Sequence, residues 1–356
     1  MLSRRQAVKA IGLAGGALIA ERTGVAQTPQ APPSTITIPP RDFGPNAPPT
    51  TYFTDPDVLV VDPIFGGYVQ ANSAIKRLWT GALWAEGPAW SGQGRYLVWS
   101  DIPNNRQLRW LEDDDRVTVF RSPSNNSNGN TFDFSGRQVS CEHLTRRVVR
   151  YEHDGSTTVL AESYNGKRLN SPNDVAAHPD GSYWFTDPPY GRSLYEGRPE
   201  KRELPTSVYR ADGKGGVTLV VTEEQVPDPN GIAFSPDEKI LYVNGGTKIT
   251  AYDVAADDTI ANPRVLIDTG GDRTTPGNTD GMKVDRSGNI YCSGPGGIWI
   301  ISPQGKHLGT IVTPERVANL AFGDADSGTL YMVGGRSLWR IRVNIAGIRP
   351  VTKEKR

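Results

Sequence analysis

The sequence predicts an all-β fold: a six-bladed β-propeller with four antiparallel strands per blade and a ring closed by an N-terminal strand. Three observations lead there. Six stretches repeat one small pattern: EGPAWSGQG from Glu86, NGNTFDFSG from Asn128, NDVAAHPDG from Asn173, NGIAFSPDE from Asn230, DGMKVDRSG from Asp280 and NLAFGDADS from Asn319. Their openings are 42, 45, 57, 50 and 39 residues apart, close to the repeat length of propeller blades. In each stretch the residue eight positions after the opening is small or polar, as a turn between two short strands requires. The 39 glycines and 28 prolines of the 356-residue chain suit a fold of many short strands and turns. A β-sandwich with a second domain would not explain six equally built units.

From the N-terminus, Arg4-Arg5 precedes an apolar run over Ala10 to Ala20 that is too short to span a bilayer. Residues 1–26 thus resemble a twin-arginine export signal, with cleavage expected after Ala26. That implies a periplasmic or secreted protein, with no membrane segment once the signal is removed. Residues 27–55 are rich in proline and read as a linker. The propeller is expected over 56–346, followed by a tail at 347–356. Ala74-Ile75-Lys76-Arg77-Leu78-Trp79 has strand character, and the last blade lacks a fourth strand of its own. The segment is therefore expected to close the ring as the outer strand of blade six, covering an otherwise open edge.

Blade three shows the unit. Asn173 leads into Val175-Ala176-Ala177, the turn His178-Pro179-Asp180-Gly181, then Ser182-Tyr183-Trp184-Phe185-Thr186. Strands at Ser207–Arg210 and Val217–Val221 complete it. Third strands are expected at 107–111, 148–152, 248–252, 297–301 and 337–341. Fourth strands are expected at 117–120, 157–160, 264–267 and 307–311. The stretch 191–206 exceeds a hairpin loop and has the length of a lid. The two cysteines, Cys141 and Cys292, fall in blades two and five, opposite in a ring of six, so both are expected as free, buried thiols. Trp84, Trp90, Trp99 and Trp184 are expected in core or inter-blade packing.

The six openings hold two carboxylates, Glu86 and Asp280, and four amides, with no lysine, arginine or histidine. At one end of a central channel they would form a cluster of oxygen donors. Buried like charges need a counter-cation or a proton. Six to eight oxygen ligands in loose geometry suit calcium, whereas zinc prefers the His and Cys this set lacks; Zn2+, Mg2+ and Mn2+ are the other candidates. Each asparagine taken alone reads as a turn residue; only the repetition argues for ligands. About 14 or 15 residues after each opening lie Asp101, His143, Asp187, Asn244, Gly294 and Gly334, a second ring whose glycine side would leave room for a ligand. His143 could move protons near pH 7 or serve as a structural imidazole. Arg168 could hold a sugar oxygen, although a lone arginine is more often solvated, and Tyr190 could form part of the wall. A formal net charge of zero leaves no basic footprint for nucleic acid. No Gly-x-Ser-x-Gly nucleophile elbow occurs.

The segments Glu86-Gly87-Pro88, Ser171-Pro172-Asn173-Asp174, Asp228-Pro229-Asn230-Gly231 and Thr279-Asp280-Gly281-Met282 resemble the signature segments of the gluconolactonase/regucalcin (senescence marker protein) family, over residues 70 to 342. Asn128-Gly129-Asn130-Thr131, Ser140-Cys141-Glu142-His143 and Phe185 to Gly191 bring it nearest to the bacterial gluconolactonases. The resemblance implies a six-bladed propeller with one divalent metal, often calcium, held by Glu86, Asn230 and Asp280, and with Asn173 binding metal or substrate. The expectation is a metal-dependent lactone hydrolase whose small-molecule partner is an aldonolactone such as glucono-1,5-lactone. Asp280 would be ligand and proton acceptor, with His143 or Asp187 as rival bases, and Asn128 and Asn173 would orient the ring. The alternatives are a non-catalytic sugar- or partner-binding propeller with a structural metal, or a phosphotriesterase-like hydrolase. The sequence leaves the oligomeric state open.

Overall fold

A computed structural model describes residues 41–43, 55–191, 201–271 and 277–348. Residues 1–26, expected from the sequence as an export signal, most of the Pro-rich stretch, positions 192–200 of the long loop and the end of the tail lie outside these residues. Six antiparallel sheets form the ring. Blade one comprises Ala85–Ser91, Tyr96–Asp101, Arg106–Leu111 and Arg116–Arg121. Blade two comprises Ser127–Phe132, Gln138–Glu142, Arg147–Tyr151 and Thr157–Ala161. Blade three comprises Val175–Ala177, Tyr183–Asp187, Ser207–Ala211 and Val217–Val221. Blade four comprises Ile232–Phe234, Ile240–Gly245, Lys248–Val254 and Ile260–Asp268, and blade five Met282–Val284, Ile290–Gly294, Gly297–Ile301 and His307–Ile311. Blade six takes Asn319–Gly323, Thr329–Gly334 and Ser337–Arg342 from the C-terminal end and Lys76–Thr80 from the N-terminal end. The closing strand pairs antiparallel with Ser337–Arg342, with Arg77 opposite Trp339 and Thr80 opposite Ser337.

The turn expected eight residues after each opening has a common backbone cause. Gly136, Gly181, Glu238, Gly288 and Ser327 all have positive φ, between 57° and 91°. Blade one makes the same turn one residue later, at Arg95 with φ 51°. A left-handed residue there reverses the chain between the inner strand and its neighbour, which is why glycine recurs.

Aromatic side chains fill the gaps between blades. Trp90 of blade one stacks on Tyr331 of blade six, with centroids 5.7 Å apart. Trp184 of blade three meets Phe234 of blade four edge-on at 5.3 Å, and Tyr291 of blade five meets Phe322 of blade six at 5.0 Å. Trp99 and Trp184 are fully buried, as expected of core residues. Cys141 and Cys292 are both buried and free.

Two features were not legible in the sequence. Val58–Val60 adds a fifth, outer strand to blade five, with Val58 opposite Ile311. A short helix, Pro63–Gly66, follows and is capped by Asp62, whose side chain accepts from the Ile64 amide. The chain before it also packs on the ring. Arg41 bridges Asp55 and Asp57 at 2.8 and 2.9 Å, and buried Phe43 meets Trp339 edge-on at 5.6 Å.

Candidate metal and active site

The openings converge because the backbone around them is used to join the blades. The Ser100 hydroxyl donates to the Asn128 carbonyl at 2.7 Å, Thr186 to the Asn230 carbonyl at 2.6 Å, and the Asn244 amide to the Asp280 carbonyl at 2.5 Å. Each bond runs from the second strand of one blade to the opening of the next. The residue after the opening is pressed against the same seam. A Cβ on Gly87 would lie 2.0 Å from the Asn128 carbonyl oxygen, and one on Gly231 would lie 2.4 Å from that of Asp280. Glycine is required at these close approaches. With the carbonyls bonded across the seams, the side chains of the openings are left for the channel.

There they form one electrostatic unit. Glu86 and Asp280 are both buried. The Glu86 carboxyl is pushed well above the usual carboxylate range, first by burial and then by the charge of Asp280, with Asp174 adding to it. Asp280 is pushed up to about 7 by burial; the Asp174 charge raises it further, while Arg316 and an Asn230 hydrogen bond oppose the rise. Asn319 bonds the Glu86 carboxyl and donates to Asp174 at 3.4 Å. Glu86, Asp174, Asn230, Asp280 and Asn319 thus share one layer of the channel. Two carboxylates this desolvated favour either protons or a cation between them.

Asn128 is buried at the same end. Its Nδ2 lies 3.4 Å from His143 Nε2, and its Oδ1 has no hydrogen-bond partner among the described residues. A buried amide oxygen without a donor is costly, so it suits a hydrogen-bond donor of a bound ligand. Asn173 is buried too, its amide donating to the Thr186 carbonyl and its carbonyl accepting from Gly129, both at 2.8 Å. The two raised carboxylates with the amide oxygens beside them fit a hard divalent ion. The sequence-predicted metal residues Glu86, Asn230 and Asp280 meet here.

The other predicted residues fall in different places. Burial lowers the His143 imidazole to about 3, and its Nε2 faces Asn128 Nδ2 in the buried layer. Its ring packs on Gly191, where a Cβ would come within 2.3 Å. Asp187, pushed up to about 7 by burial, accepts from the Asn170 amide at 2.7 Å and so clamps the segment before Asn173. Asp101 is a similar clamp, accepting from Leu83 N, Asn104 Nδ2 and Arg106 Nε at 2.9, 2.7 and 2.9 Å. Tyr190 donates to the Asp228 carbonyl at 3.0 Å, and its hydroxyl lies within the field of Asp280, on the rim. Arg168 is exposed on a small hairpin, its Nη2 donating to the Thr145 carbonyl at 3.3 Å.

The glycines of the second ring do not leave room for a ligand. A Cβ on Gly334 would strike the Arg316 carbonyl at 2.1 Å, and one on Gly294 would meet the Trp299 ring at 3.1 Å. The protein itself fills those spaces.

Three charged residues escaped the sequence reading. Asp174 takes the place that glycine holds after the openings of blades one, two, four and five, an irregularity that could have marked it. Lys283 lies beneath, 3.8 Å from Asp174 Oδ2. Arg316 reaches Asp280 Oδ2 at 3.1 Å from a half-exposed position in the segment leading to Asn319; no repeated spacing points to it.

A cavity of about 380 Å³ opens on the opposite side of this layer, lined by Trp90, Phe132, Phe134, Phe234 and Phe322, with Lys283 in its wall. Its walls are mostly apolar, so the polar chemistry lies at the other end of the channel. Elsewhere, His178, Asp180 and Asp258 bring ligand-type atoms within 4.8 Å of one another. Arg210 already bridges both carboxylates, at 2.8 and 2.5 Å, and supplies their counter-charge.

Comparison with known proteins agrees with this architecture. Residues 84–336 match the SMP-30/gluconolactonase/LRE-like region. A gluconolactonase of Zymomonas mobilis is 29% identical over 309 residues, covering 80% of this chain and 85% of that protein. A pentonolactonase of Haloferax volcanii is 29% identical over 255 residues, covering 69% and 80%. The solved structure of a Xanthomonas campestris gluconolactonase superposes with a TM-score of 0.74 at 34% identity, covering 84% of this chain and 99% of that one. The chain belongs to the SMP-30/gluconolactonase/LRE-like family.

Proposed function

We propose that the protein is a divalent-metal-dependent lactone hydrolase acting on glucono-1,5-lactone or a related aldonolactone. The observation that carries this is the meeting of Glu86 and Asp280, both buried and both raised, with Asn230 in one channel layer. The gluconolactonase and pentonolactonase relatives support the substrate class. Glu86, Asn230, Asp280 and Asn173 would hold the ion, and their all-oxygen character favours calcium. When bound, the ion supplies a Lewis acid for the lactone carbonyl.

The remaining work falls to the chain. The unpartnered Asn128 Oδ1 accepts from a substrate hydroxyl, and Tyr190 forms the wall beside it. Water adds to the carbonyl carbon, and an Asp280 carboxylate oxygen takes its proton. The acyl–oxygen bond of the ring then breaks, Asp280 returns the proton to the departing ring oxygen, which leaves as a hydroxyl, and an open-chain hydroxy acid remains. The same reading has the chain exported through its Arg4-Arg5 segment, which supports a periplasmic or secreted site of action.

The test is acid release from a panel of lactones, followed at constant pH on protein stripped by chelation and on the same protein with calcium restored. Turnover of aldonolactones that vanishes with the ion and returns with it supports the reading. Equal turnover in both samples contradicts it.

A further inference from the structure

Arg316 bonds a predicted metal ligand without having been part of any predicted site. Its guanidinium Nη2 lies 3.1 Å from Asp280 Oδ2. Its backbone is held firmly: the Arg316 carbonyl packs on Gly334, the preceding Glu315 side chain accepts from Arg336 N and Ser337 Oγ, both at 2.8 Å, and the next carbonyl, that of Val317, accepts from Ser293 Oγ. The side chain, by contrast, is 50% exposed. A fixed stem with a half-exposed cationic head can hold Asp280 or leave it at small cost. Lys283 is placed differently, against Asp174 on the cavity side.

We infer that Arg316 is the resident counter-cation of Asp280 and competes with the divalent ion for that carboxylate, so that it sets the affinity of the site for that ion. The inference rests on the metal site proposed above. The guanidinium neutralises Asp280 when the ion is away. When an ion takes the carboxylate, Arg316 must give up its bond and remain as a nearby like charge. Both effects weaken ion binding, and both disappear when the positive charge is removed.

The experiment is a calorimetric titration of calcium into chelator-stripped protein, with thermal melts of the same samples. Arg316→Gln should bind calcium about tenfold more tightly than wild type, the size expected for one nearby charge at intermediate dielectric. Arg316→Lys, which keeps the charge, should stay within about threefold of wild type. Without calcium Arg316→Gln should melt lower than wild type, and with saturating calcium the gap should close. Unchanged affinity in Arg316→Gln, with wild type still binding one ion, would overturn the inference and leave the metal site standing. Absence of calcium binding by wild type would overturn both. Both readouts report ion binding and not turnover, so a role of Arg316 in holding substrate alone would move neither.

Discussion

Glu86 and Asp280 owe their raised proton affinity to burial beside one another and beside Asp174, and the same cause makes them good ligands. Replacing either by alanine removes an oxygen donor and one of the negative charges that attract the ion. Glu86→Ala and Asp280→Ala should each lower lactone turnover at least about 10³-fold, the scale of losing a transition-state-stabilising group; steady-state kinetics at saturating calcium checks this. Asn128→Ala should leave calcium binding within about twofold of wild type and lower kcat/KM about tenfold, the size of one lost substrate hydrogen bond. Calorimetry and kinetics on the same preparation separate the two effects. His143 was expected as a possible proton carrier on residue type alone. Its burial was not visible in the sequence, and burial is what lowers its proton affinity.

At the level of strands and turns, the repeated turn was readable because a left-handed backbone selects glycine, and the inner strands follow from it. The clamps were not readable. By spacing Asp101 and Asp187 belong to a polar second ring, and in the structure both accept from backbone amides of neighbouring loops. The outer strand Val58–Val60 is only three residues long, too short for any periodicity to mark. Arg316 lies in an inter-blade connection, where no repeat constrains the residue type. The seams between blades make a sharp prediction. Gly87→Ala places a methyl group 2.0 Å from the Asn128 carbonyl oxygen at a residue whose φ is +54°. It should destabilise the protein by about 3 kcal/mol or more through overpacking and strain, seen as a lower midpoint in denaturant. Because the displaced carbonyl belongs to Asn128, the variant should also lose activity at temperatures where it remains folded.

For the whole ring, closure and charge decide stability together. Lys76–Thr80 covers the edge of Ser337–Arg342, which joins the ends of the chain. A chain starting at residue 81 should lose that cover and form soluble aggregates or precipitate, read by light scattering against the full-length protein. Charge enters through linkage. Glu86 and Asp280 bind protons more tightly folded than unfolded, so between their unfolded values near 4 and the raised value of about 7 for Asp280 the native state holds more protons. Raising pH through that window therefore lowers the stability of the ion-free protein. Saturating calcium takes the place of the protons and should flatten that part of the profile. Denaturant melts from pH 4.5 to 7.5 in chelator and in calcium should diverge as pH rises, calcium giving the more stable protein. Profiles that stay parallel would show that these carboxylates do not share an ion.

The most direct test of the central claim is a crystal structure grown with manganese and phased on its anomalous signal. The account predicts one strong peak bounded by Glu86, Asn230 and Asp280, with Arg316 withdrawn from Asp280. A peak at another place, such as beside His178, Asp180 and Asp258, with the channel layer empty would contradict it.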